Sequence, residues 1–241
     1  MNNRTKSCFL ALATLFIVAG CAQQESAPQD TSWANDNLKG KVKRVLEVTY
    51  EAQPQGDTYR KGPQTQVYIL KSYTETGYLI SERRYYSDSD QAIGGFNYIY
   101  DPDYNLLRID SVDPDGGIIS QSKVIERAGK VSIKLYEEYY GTGENAMLTS
   151  KTEMTWEGNL LMKAVSYNPE GEAVSTNAYT YDKKGNLTSF DVNMTKPQER
   201  YMKMISKYEE FDDKGNWTVM FKEFQNLPMK ELIERQIEYY D

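Results

Sequence analysis

The chain has 241 residues, with 35 acidic against 28 basic side chains and a net charge of −7. That balance gives no electrostatic basis for nucleic acid, where affinity rests on neutralising phosphates. Histidine is absent and only Cys8 and Cys21 carry a thiol, which removes the commonest general base, the commonest metal ligand and every Ser–His or Cys–His pair.

The first elements lie at the N-terminus. Arg4 and Lys6 precede an apolar run from Cys8 to Gly20. A bilayer span needs roughly 20 apolar residues, so the run is too short for that and has the length of a signal-peptide h-region. It ends in Val18-Ala19-Gly20-Cys21, which resembles the lipobox of bacterial lipoproteins; the alternative is an ordinary secretory signal with an incidental cysteine. The resemblance implies a signal peptide over residues 1–20, cleavage before Cys21 and a diacylglycerol on its thiol. Two or more acyl chains hold a protein stably at a membrane where one does not. Ala22 stands where an Asp would retain a lipoprotein in the inner membrane, so the resemblance implies the outer membrane, with the domain facing either the periplasm or the outside.

Cleavage would leave 221 residues, 26 basic and 35 acidic, at net −9. With Cys8 removed and Cys21 lipidated, no disulfide is available. The stretch AQQESAPQDTSWANDN is polar and has too few apolar residues to bury surface. It is expected to be a flexible tether over 21–38, with the folded domain over 39–241.

From there the chain repeats itself. Tyr181-Asp182-Lys183-Lys184-Gly185-Asn186-Leu187 is nearly rewritten as Phe211-Asp212-Asp213-Lys214-Gly215-Asn216-Trp217. Weaker copies open at Tyr73, Tyr100, Arg127, Trp156 and Tyr240, spaced 25 to 30 residues apart. A fixed period of this size marks a repeat architecture. Asp can bond its own backbone two residues on, Gly takes the left-handed conformation of a tight reversal, and the flanking aromatic and apolar residues are strand residues. Asn168-Pro169-Glu170-Gly171 and Asp113-Pro114-Asp115-Gly116 supply a second turn midway. Each repeat therefore reads strand, turn, strand, turn.

Val42–Tyr50 and Gln66–Leu70 are rich in β-formers, and Phe96–Tyr100 and Asn177–Tyr181 alternate with period two. Pro228–Ile237 has helical propensities, yet it occupies a strand slot and is expected to be a strand. The fold class is all-β: an antiparallel meander of about 13–14 strands, strongly curled or partly closed into a barrel, because open twisted sheets of that size do not stay flat. Hydrophobic content of 39% suits one buried and one wet face.

The Tyr-Asp-x-x-Gly-Asn-Leu outline resembles the YD repeat of the RHS class, over roughly residues 39 to 241. Lipobox, tether and degenerate repeats in that order resemble small envelope lipoproteins. The resemblance implies antiparallel coiling sheets and no reaction.

The rows of aromatic residues are the candidate functional surface. Tyr98, Tyr100, Trp156, Tyr179, Tyr181 and Phe211 occupy equivalent places and are expected to neighbour one another, as core or as a platform for a sugar or peptide. Asp101-x-Asp103-x-Asn105 resembles the start of a calcium loop but has Leu106 and Val112 where glycine and a carboxylate are required, and no metal or cofactor is indicated. Asp110-Ser111-Val112 resembles a bacterial O-glycosylation site. The reading that follows is a non-enzymatic, outer-membrane-anchored binding or structural module for an envelope protein or a glycan. The alternatives are a carboxylate-dependent glycan hydrolase and a periplasmic carrier of lipid or protein.

Overall fold

In the computed structural model the described residues are 30–241 except 57 and 131. The proposed signal peptide, Cys21 and the first part of the proposed tether lie outside them.

Fourteen strands follow one another in chain order and close into a single antiparallel barrel, β1 pairing with β14. They are β1 (Val42–Gln55), β2 (Thr58–Tyr73), β3 (Leu79–Tyr86), β4 (Ala92–Tyr100), β5 (Leu106–Val112), β6 (Ile118–Arg127) and β7 (Ile133–Tyr140). The second half comprises β8 (Met147–Glu157), β9 (Leu160–Tyr167), β10 (Ala173–Tyr181), β11 (Leu187–Met194), β12 (Arg200–Phe211), β13 (Trp217–Gln225) and β14 (Lys230–Tyr239). Pro228–Ile237 thus contributes a strand. Closure leaves no unpaired edge strand, the usual hazard of a long meander.

The repeated motif forms the turns at one end. In the turn after β10, Asp182 Oδ1 accepts the backbone N–H groups of Lys184 and Asn186 at 2.8 and 2.9 Å, and Asn186 Nδ2 donates back to Asp182 Oδ2 at 2.9 Å. Gly185 has φ 82° there. The copy after β4 repeats the bonds through Asp101 and Asn105 but puts Tyr104 in the left-handed position, at φ 60°. Stacking of Tyr104 on Tyr78, ring centroids 4.5 Å apart, offsets that strain. The Pro-Gly turns stand at the opposite end, closed by Gly171 N–H on Asn168 O and Gly116 N–H on Asp113 O.

The leading aromatic of each motif has a function that spans repeats. Each sits at a register shift in its own hairpin, as at Ile99/Tyr100 and Thr180/Tyr181. The ladders between hairpins end short of the turns, which leaves a carbonyl over, and the next repeat's aromatic takes it. Tyr100 OH donates to Leu79 O, Trp156 Nε1 to Ile133 O and Tyr181 OH to Leu161 O, each at 2.9 Å. At Phe211, which has no hydroxyl, Tyr208 substitutes and donates to Leu187 O at 2.8 Å. At Arg127 the guanidinium donates to Leu106 O. The period of the sequence is therefore also a period of polar satisfaction.

The tether boundary is corrected by the structure. The chain packs from Thr31 onward, and a short helix α1 (Ser32–Asn35) lies across the motif end of the barrel. Trp33 is 3% exposed and Leu38 2%. Trp33 Nε1 donates to Val42 O at 2.9 Å and its ring lies against Gly77, where a Cβ would come within 2.6 Å of it. Asn37 Nδ2 donates to Asn186 Oδ1 at 2.8 Å, and Lys39 N–H donates to Asn216 Oδ1 at 2.7 Å. A polar segment with one tryptophan and one leucine orders here because the turn asparagines supply partners for its backbone and amides.

Candidate lumenal binding site

Strand alternation sends one set of side chains into the lumen. The segment 30–39 closes one end of it, and Asn35 and Asp36 border cavities on both sides. The first cavity, of about 230 Å³, is apolar, lined by Leu79, Ile109 and Met154 with Tyr98, Tyr100 and Trp156. The second, of about 310 Å³, includes Tyr179, Tyr181, Tyr208 and Trp217 together with Glu47, Lys71, Lys222 and Arg235.

The charges of the second cavity are arranged around Glu47. Arg235 donates to Glu47 Oε1 through Nε at 2.8 Å and Nη2 at 2.6 Å, and its guanidinium carbon lies over the Trp217 ring, 3.5 Å from the centroid. Lys71 Nζ stands 3.8 Å from the same oxygen. Burial alone would raise the Glu47 carboxyl, but Lys71 and Arg235 outweigh it and hold the group at about 2. Glu47 in turn raises Lys71. Asp36 accepts the Tyr73 hydroxyl at 2.7 Å. Lys222 makes no ion pair among the described residues; burial lowers its pKa against the opposing pull of Glu47 and Glu231. Lys71, Lys222 and Arg235 thus line this cavity with Glu47 and Asp36, and Glu231 stands opposite Lys222 on the β13–β14 ladder.

The six aromatic residues singled out in the sequence divide three ways. Tyr98, Tyr100 and Trp156 line the apolar cavity, and Tyr179 and Tyr181 the charged one. Phe211 is turned out and 41% exposed. They do not form one continuous row. Tyr100, Trp156 and Tyr181 commit their polar atoms to neighbouring carbonyls, and burial pushes the Tyr100, Tyr181 and Tyr208 hydroxyls up to about 12. The sequence reading passed over Tyr208, Trp217, Lys71, Lys222 and Arg235. Their signal was period two: Met220 and Lys222, like Val45 and Glu47, are successive residues of one strand face.

Other sequence features have local uses. The Asp101 carboxylate is occupied by its own turn. Among the described residues no group of three or more His, Cys, Asp or Glu is placed to hold a metal ion. Asp110 is buried within β5, with Arg108 Nε 2.9 Å from Oδ1 and Gln121 Nε2 donating to it at 2.8 Å.

The outer wall carries ion pairs. Lys151–Glu137 and Lys203–Asp191 stand on it at 2.7 and 3.5 Å. A membrane-spanning barrel carries an outward apolar band roughly 25 Å tall, where a lysine or arginine at mid-depth costs about 2–4 kcal/mol. Here charged pairs alternate with exposed apolar side chains such as Leu107, Ile119 and Ile125. The long β1–β2 hairpin folds back on it, stacking Tyr59 on Phe221 at 4.4 Å and joining Lys61 to Glu234 at 2.7 Å. No helix among the described residues is long and apolar enough to cross a membrane.

No family model and no curated protein matches the chain. Among solved structures it is similar to a porin-like protein from Bacteroides uniformis, with a TM-score of 0.50 and 9% identity over 88% of this chain and 99% of that one. This likeness supports a shared barrel fold. A partial match to the Tc holotoxin pore of Photorhabdus luminescens has a TM-score of 0.20 at 13% identity, over 68% of this chain and 10% of that one, and defines no common architecture.

Proposed function

We propose that the protein is a non-enzymatic binding module whose recognition surface is the barrel lumen, and that a lipid on Cys21 holds it at the outer membrane. The observation that carries this is the charged cavity, where fixed ions and aromatic rings face the same enclosed space. Ligand pockets combine an apolar lining with a few placed polar groups in this way. Aromatic rings with polar neighbours suit a sugar better than a lipid tail, which favours a glycan partner. A hydrolase would need a carboxylic acid that keeps its proton near neutral pH; Glu47, clamped by Arg235, is a fixed anion. The ion-paired wall fits a domain that stands in water beside the membrane, with the anchor alone in lipid.

A glycan panel presented to the full chain tests the binding claim. Capture of one class of saccharide, lost on narrowing the lumen with Met220→Trp, is expected. Turnover of a saccharide would overturn the non-enzymatic reading, and capture indifferent to the lumen variant would move the site to the outer wall. For the anchor, Cys21→Ala is expected to release the protein from membranes; a variant that stays bound contradicts it.

A further inference from the structure

Ser206 Oγ is buried and has no hydrogen-bond partner among the described residues. Ser206 is 5% exposed, lines the charged cavity and pairs across the β12–β13 ladder with Lys222, the cavity's unpaired ammonium. The other buried side-chain oxygen without a partner, Asn177 Oδ1, lies on β10 two residues before Tyr179. Buried polar groups are almost always satisfied, and an orphan donor beside an unpaired cation marks a place where a ligand atom belongs.

The same residue also borders an outer groove. The β11–β12 ladder ends at Ser189 opposite Ile205, and beyond it the two hairpins part. An outer groove of about 510 Å³ runs there, lined by Lys183, Lys184, Lys207 and Phe211, and it shares Ser206 and Tyr208 with the lumenal cavity. Asp182, the groove's carboxylate, is bound into its own turn. The groove is therefore cationic and borders Ser206.

We propose that Lys222 and Ser206 form an anion subsite that takes the carboxylate of an acidic sugar, with the sugar ring lying among Tyr179, Tyr181 and Tyr208. This rests on the lumen being the recognition surface and adds the chemistry of what it recognises. One ammonium and one hydroxyl donor match the two oxygens of a carboxylate; a phosphate dianion would leave charge uncompensated beside Glu47. Glu47, held by Arg235, repels a carboxylate from that side and steers it toward Lys222.

The test is calorimetric titration of the full chain with D-glucuronate, D-galacturonate, D-glucose and acetate. At least one uronate is expected to bind on the order of tenfold more tightly than glucose or acetate, the step expected of a charge-assisted hydrogen bond. Lys222→Met is expected to erase that advantage, Lys222→Arg to keep most of it, and Ser206→Ala to weaken it severalfold. Equal affinity for uronate and glucose, or a Lys222→Met protein that still prefers uronate, overturns the subsite while leaving a neutral-glycan lumen standing. Acetate binding as tightly as the uronates overturns the sugar part. Failure of both uronates to bind at millimolar concentration overturns the subsite, and failure of the whole glycan panel as well removes the lumenal reading beneath it.

Discussion

The two halves of the lumen share one scaffold and differ in chemistry. Beside β3 to β9 the cavity is lined by Leu79, Ile109, Met154 and three aromatic rings, and further polar groups come from Ser32, Asn35 and Asp36. Across the N-terminal segment, Glu47, Lys71, Lys222 and Arg235 stand among four more rings. Both halves carry the same turn motif and the same hydroxyl-to-carbonyl bond between repeats, as Tyr100 to Leu79 and Tyr181 to Leu161 show. The difference lies at inward positions away from the turns, where one half has Ile109 and Met154 and the other has Lys222 and Arg235. Anchor positions are held by the turn and by an otherwise unpaired carbonyl, so they repeat. Inward positions beyond them have no such duty and are free to carry function.

The sharpest way to break the comparison is to remove what divides the halves. Trp33→Ala deletes a fully packed indole and its bond to Val42 O, and is expected to cost about 3–5 kcal/mol in denaturant unfolding. An unchanged midpoint would mean that the segment lies loosely on the barrel.

Glu47→Gln follows, at about 3 kcal/mol, because it leaves Arg235 and Lys71 facing each other without their anion. A pH signature goes with it. Glu47 titrates in the folded chain at about 2, below its ordinary value of 4.5, so its contribution is whole above pH 4.5 and is lost as pH falls toward 2. Glu47→Gln is expected to flatten that acid limb, and an unaltered acid profile would contradict the clamp.

Tyr181→Phe tests the bond that both halves share. It strands Leu161 O and is expected to cost about 1–2 kcal/mol. Tyr100, Tyr181 and Tyr208 have their hydroxyls pushed up to about 12 by burial. Their stabilising contribution is therefore complete below pH 10 and lost as pH rises toward 12. Tyrosinate absorbance is expected to show a late-titrating set that shrinks by one in each Tyr→Phe variant. The smallest effect belongs to the outer wall, where Lys151→Ala is expected to change stability by less than about 1 kcal/mol, the pair with Glu137 being partly open to solvent.

Much of the fold is legible in the sequence because the repeats are built from local chemistry. Asp182, Gly185 and Asn186 each do something a turn requires, and the 25-to-30-residue spacing fixes two strands per copy. Closure is less legible, since it depends on β1 meeting β14 across nearly the whole chain. The packing of Thr31–Leu38 was missed because hydrophobic content was the criterion, whereas much of what holds the segment is amide bonds to Asn186 and Asn216. The aromatic residues were found by their recurrence, and recurrence selects residues with a structural duty. Lys222 and Arg235 recur nowhere, so only the period-two pattern of their strands pointed inward.

The three tryptophans allow the central claim to be tested directly, since Trp33 lies in the dividing segment, Trp156 in the apolar cavity and Trp217 in the charged one. The measurement is intrinsic fluorescence of Trp156→Phe and Trp217→Phe proteins titrated with the saccharide that binds best. The signal is expected to survive Trp156→Phe and to disappear with Trp217→Phe. A signal that follows Trp156 instead would place binding in the apolar half and contradict the account.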